Sequence, residues 1–146
     1  MQTWPTVEMS VSELAASAWP GNPRVISKAA RGRLKASLEE FGVAGSLVWN
    51  SRTGRLVSGH QRVSLLSDAG VDRVSVTVVD LPDDQEKALN VSLNRTDLMG
   101  DWDHEALDRL LGELSAESGD LLESLHLEEM PEYKASDPDA LLKRIL

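Results

Sequence analysis

The sequence predicts an α+β body followed by a helical tail, and three observations carry that expectation. Segments of two-residue apolar alternation are interleaved with segments of helical spacing, and one tight turn joins two of the former into a hairpin. Charge also divides the chain: residues through Thr96 carry 11 basic and 10 acidic side chains, and those from Asp97 onward carry 4 and 14. The acidity behind the net charge of −9 therefore lies in the last third of the 146 residues. Composition breaks at about Met99–Gly100, so we expect a body over residues 1–98 and an acidic helical tail over residues 99–146.

Each element has a local cause. Val7, Met9 and Val11 alternate with polar residues and predict a short strand, after which Ser12-Glu13-Leu14 begins a turn of helix. Trp19-Pro20-Gly21-Asn22-Pro23-Arg24 cannot continue that helix, because two prolines and a glycine impose an irregular, extended loop. Ser27 is a candidate N-cap for a helix from Ala29 to Phe41, with Leu34, Leu38 and Phe41 at helical spacing and Gly42 as its C-cap. Val43 to Trp49 predicts a strand, Asn50-Ser51-Arg52-Thr53-Gly54 a hairpin turn, and Arg55 to Ser58 the return strand. At Gly59 the period changes, and Val63, Leu65, Leu66 and Ala69 predict a short helix closed by Gly70. Val74, Val76, Val78 and Val79 form a further strand. Leu81-Pro82-Asp83-Asp84 then opens a helix over about Gln85–Asn94, with Ala88, Leu89 and Leu93 on its apolar face and acidic residues at the positive end of its dipole. In the tail, Asp101 is expected to cap a helix carrying Leu107, Leu110, Leu111 and Leu114, followed by shorter helices at Asp120–Leu125 and Ala140–Leu146.

Composition excludes several classes of function. The chain has no cysteine, which removes disulfides, thiolate zinc sites, redox thiols and cysteine nucleophiles together. No apolar run approaches the roughly 20 residues a membrane span needs, and the N-terminus shows no signal-peptide core, so a soluble, cytoplasmic protein with no membrane partner is expected. One Phe, one Tyr and four Trp leave a core of mainly Leu and Val. His60, His104 and His126 are far apart, and no metal site is expected from them.

Four segments carry candidate chemistry. In Val57-Ser58-Gly59-His60-Gln61-Arg62 a strand passes through glycine into a helix, whose first N–H groups and dipole favour an anion. Gly59 permits close backbone approach and Arg62 supplies a forked cation; the plainer alternative is a simple turn beside a solvated arginine. Asn22-Pro23-Arg24 presents an amide and a cation from a stiff loop, or is only a rigid connector. Asn94-Arg95 ends a helix, where arginine also complements the dipole. Finally, Lys28, Arg31 and Lys35 share one helical face that suits either a nucleic-acid backbone or plain solvent.

Taken in order, the NPR loop, the helix ending in Phe41-Gly42, the strand pair leading to a GxxR turn, the valine strand and the helix ending in an Asn-Arg pair resemble the N-terminal domain of the ParB/sulfiredoxin superfamily. The resemblance covers about Val7 to Leu98. It implies a small mixed sheet with surrounding helices, and a nucleoside triphosphate, with Mg2+, held by Asn22, Arg24, Gly59, His60, Gln61, Arg62, Asn94 and Arg95. The GHQR turn, with Gly100-Asp101-Trp102-Asp103 and the leucine helix after it, resembles a phage and mobile-element branch whose members carry a nuclease label and often lie beside DNA methyltransferases. The sequence departs from the partition proteins in two places. They have a glutamate and two arginines where this chain has His60, Gln61 and Arg62, and their magnesium-holding Glu-Asn pair aligns with Val91-Ser92. Sulfiredoxin activity needs a cysteine in the same turn and is excluded.

The expected function is nucleotide binding in DNA metabolism, with DNA contact through Lys28, Arg31 and Lys35. Two alternatives stand beside it. One is a metal-dependent nuclease, or an NTP hydrolase or kinase of the same fold, with His60 as a candidate catalytic base, phosphate donor or mere helix residue. The other is a non-catalytic module that docks a DNA methyltransferase or another phage protein, or a second copy of itself as a homodimer. The tail does not suit DNA reading, because Asp120 to Glu129 contains four acidic and no basic side chains. It is expected to pack its leucine face on the body or on a partner, its acidic side chains either solvated or covering the basic helix.

Overall fold

A computed structural model describes residues 1–45 and 47–130; the helix expected over Ala140–Leu146 lies outside them. The chain divides into two compact units, Met1–Thr96 and Asp97–Leu146. The first contains β1 (Thr6–Ser10), α1 (Val11–Ala16), α2 (Lys28–Phe41), β2 (Val48–Asn50), β3 (Arg55–Ser58), α3 (His60–Asp68), β4 (Arg73–Val79) and α4 (Asp83–Leu93). The strands form one mixed sheet in the order β1-β4-β2-β3. β1 runs antiparallel to β4 with Val7 opposite Val76, and β3 runs antiparallel to β2 across a bulge at Val48/Trp49. β2 and β4 are parallel, with Trp49 opposite Val78. A parallel neighbour needs a crossover, and β3 with α3 supplies it. One apolar cluster joins Val11, Leu14, Leu47, Leu56, Val63, Leu66, Val74 and Val76. Val48, Val57 and Val79 form a second with Trp4, Leu81 and Leu89.

Several boundaries differ from expectation, each for a local reason. Val11 begins a helix instead of ending a strand, because the Ser10 hydroxyl accepts from the Glu13 N–H and caps it. β2 is confined to Val48–Asn50, although the Leu47 carbonyl already accepts from the Thr77 N–H at 2.8 Å. α2 has the expected caps at Ser27 and Gly42 but buries no residue fully, and Phe41 is exposed. α4 turns inward not Ala88 and Leu93 but Glu86 and Asn90, which share a face one helical turn apart.

The second unit holds α5 (His104–Ser124), capped by Asp103 rather than Asp101. Its backbone leaves helical geometry at Ser118, with φ −154° and ψ 60°, so the two expected helices are one interrupted segment. Leu107, Leu111 and Leu122 are buried together, with Leu114 and Leu127 against them, while Leu110 is exposed. No helix among the described residues is long and apolar enough to cross a membrane.

Candidate functional site

β3 delivers the chain to Gly59, and three other segments converge there. An isolated bridge between Ala18 and Leu56 draws the loop after α1 alongside β3. α4 packs on β3, and α2 packs on α3. Between them lies an open cavity of about 190 Å³ lined by Asn22, Arg24, Ile26, Leu34, Val57, Ser58, Gly59, His60, Gln61, Arg62 and Asn94. Seven of the eight residues singled out for a phosphate site therefore line one cavity. The eighth, Arg95, is exposed at the end of α4 and is not among its walls.

Gly59 is required at this junction. It adopts φ +95°, and a Cβ there would lie 2.3 Å from Leu47 Cδ2. The close approach of β3 to the segment before β2 thus sets where α3 begins, and with it where the first N–H groups of α3 point. Arg62, in the first turn, reaches Gly45, where a Cβ would meet its Nη1 at 2.5 Å. Burial lowers the Arg62 pKa from its ordinary value, and the charge of Arg24 lowers it further. Two guanidiniums that feel each other's charge across a cavity are an arrangement that an anion relieves.

The polar wall opposite is a chain of asparagines. Arg24 Nη1 donates to Asn94 Oδ1 at 2.7 Å, and Asn94 Nδ2 donates to the Asn90 carbonyl at 2.8 Å. Asn90 Nδ2 in turn donates to the Val57 carbonyl at 2.8 Å and to Asn22 Oδ1 at 3.2 Å. Asn90 is only 1% exposed, and its own Oδ1 has no hydrogen-bond partner. It links β3, the NPR loop and α4, three sides of the cavity, yet sequence reasoning missed it.

At the other end of α4, Glu86 is 2% exposed and accepts from Asn50 Nδ2 at 3.0 Å and from the Thr53 hydroxyl. Arg55 Nε lies 2.9 Å from Glu86 Oε2, an ion pair in which the N–H is not aligned for a hydrogen bond. Arg55 also pairs with Asp83. Asn50, assigned to the turn by sequence, is the fully buried last residue of β2, and its Oδ1 accepts from the Leu81 N–H at 3.0 Å. This network fastens α4 to the hairpin and so sets the position of Asn90 and Asn94. The sequence signal for it was the pair of polar residues Glu86 and Asn90 in an i, i+4 relation, one turn apart on the same helix.

His60 lines the cavity, and its Nε2 accepts from the Trp19 N–H at 3.4 Å. Burial lowers its pKa below 6.5, against a smaller opposing effect of a backbone hydrogen bond with Leu56. A neutral ring with Nε2 engaged secures the loop at Trp19. Of the predicted nucleic-acid face, Arg31 is committed to α3: it donates to Gln61 Oε1 at 3.1 Å and Ser64 Oγ at 3.2 Å, and pairs with Asp68 at 3.0 Å. Lys35 lies 3.8 Å from Glu39, and Lys28 is exposed.

Comparison with known proteins gives the fold a precedent. No protein-family profile and no curated protein sequence matches the chain. Among solved structures, it is similar to a C-terminally truncated chromosome-partitioning protein ParB from Caulobacter crescentus complexed with CTP-gamma-S. The TM-score is 0.63 at 17% identity over 83% of this chain and 71% of that one. It is also similar to a Pnob8-like ParB-N domain, with a TM-score of 0.54 at 19% identity over 87% of this chain. It spans half of that second structure's length, 50%. The fold is that of ParB N-terminal domains.

Proposed function

We propose that this chain is a nucleotide-binding domain of ParB type, acting in DNA metabolism in the manner of the phage and mobile-element branch. The observation that carries this reading is the convergence of Arg24 and Arg62 on one cavity at the Gly59 turn. The likeness to a ParB complexed with a CTP analogue supports it at the level of the fold. Arg24, Arg62 and the N–H groups at the start of α3 would hold the phosphates. The apolar side chains of Ile26, Leu34 and Val57 offer the rest of the ligand a surface without hydrogen bonds.

Calorimetry with CTP, ATP, GTP and their diphosphates tests it. The wild type is expected to bind at least one triphosphate, and Arg62→Ala to weaken that binding at least about tenfold, the scale of a lost charged hydrogen bond. No binding by the wild type would overturn the proposal. The nuclease alternative has less support, because His60 Nε2 already accepts a backbone hydrogen bond. A docking role for the tail rests on a different observation, the exposure of Trp102 and Leu110 by more than half. Deleting residues after Met99 separates the two roles, removing partner capture and leaving nucleotide binding.

A further inference from the structure

The charge of this cavity is one-sided. Its walls carry two guanidiniums and no carboxylate; the remaining polar side chains are Asn22, Ser58, His60, Gln61 and Asn94. Sites that use magnesium on a polyphosphate hold it by one or two carboxylates, with the phosphates and water completing the shell. The carboxylates on the helices that form this cavity are engaged elsewhere or distant: in α2, Glu39 lies 3.8 Å from Lys35 and Glu40 stands six residues after Leu34, roughly 9 Å along the helix axis. Asp68 of α3 pairs with Arg31, and in α4 Asp83 pairs with Arg55 and Lys87 while Glu86 pairs with Arg55. Asp84 stands ten residues before Asn94, roughly 15 Å along the helix axis. The side chains present therefore do not fit a protein-held magnesium ion.

Two guanidiniums do the same electrostatic work by another route. A divalent cation chelated to a triphosphate removes two units of negative charge, the charge that Arg24 and Arg62 are placed to meet. Metal and protein then compete for the same oxygens. Resting on the reading of this cavity as a nucleotide site, we propose that it takes the polyphosphate free of divalent metal, Arg24 and Arg62 standing in for magnesium, so that added magnesium weakens binding.

The test is titration of the full chain with CTP, ATP and GTP and, as a base-free probe, inorganic tripolyphosphate. Each is measured in excess EDTA and in excess magnesium chloride at matched ionic strength. The expected result is binding in EDTA that weakens by about threefold to tenfold in magnesium. In Arg24→Met, whose replaced side chain is exposed, overall affinity falls and the difference between the two buffers shrinks. Affinity that is equal or higher in magnesium overturns this inference while leaving the nucleotide site standing. An undiminished buffer difference in Arg24→Met overturns it as well. Absence of binding by every ligand in both buffers takes down the nucleotide reading and this inference together.

Discussion

In the body, three polar side chains, Asn50, Glu86 and Asn90, are among the most deeply buried groups, whereas the described part of the second unit buries only leucines, Leu107, Leu111 and Leu122. The difference is one of specification. Leucines pack adequately in many arrangements, so a leucine cluster holds elements together without dictating their atomic register. A buried amide or carboxylate costs free energy for each polar atom left unmet, so the directional bonds that it does make fix the helix or loop supplying the partner. The asparagine chain from Val57 through Asn90 to Arg24 thus orders the cavity, and nothing of that kind is seen in the second unit's described core.

The sharpest way to break this contrast is at Glu86. Glu86→Ala takes one acceptor from Asn50 Nδ2, which keeps only the Leu81 carbonyl, removes the acceptor of the Thr53 hydroxyl and leaves Arg55 with Asp83; we expect a loss of about 3 kcal/mol, measured as a fall in the urea midpoint of the body. Leu111→Ala should remove about 3 kcal/mol from the second unit, seen as loss of helical circular dichroism with nucleotide affinity unchanged, since every cavity wall lies at or before Asn94. Asn90→Leu sharpens the comparison by exchanging one kind of interior for the other. It strands the Val57 carbonyl but removes the unpartnered Oδ1, so stability should move by only about 1 kcal/mol. Nucleotide affinity should still fall by about threefold to tenfold as Asn22 is released; if stability and affinity fall in proportion, Asn90 is merely structural.

The smallest effect concerns pH. The folded-state pKa of His60 lies below its unfolded value of 6.5, so the unfolded chain binds more protons in the interval between them. The contribution of His60 is fully present above pH 6.5 and is lost as pH falls through the folded value. Denaturant midpoints measured from pH 7.5 down to about pH 5 should therefore decline with a slope that His60→Gln flattens. An unchanged slope in that variant would mean that burial of the His60 ring contributes nothing to the pH dependence.

Much of this protein was legible along the chain because it depends on neighbours in sequence. Ser27 and Gly42 bounded α2, four valines marked β4, and the glycine between Ser58 and His60 marked where strand becomes helix. Caps, periodicity and turns are satisfied within a few residues, so local chemistry determines them. Arg24 and Arg62 were likewise singled out by local surroundings, a stiff loop and a helix start. What only the tertiary structure decided was the use of polar groups at a distance. Arg31 crosses to α3 instead of facing solvent, Arg95 stays outside the cavity, and Asn90 joins Val57 to Asn22 across 33 and 68 residues. Whether a polar side chain is solvated or buried depends on partners that tertiary packing brings to it, and spacing along the chain carries no record of them.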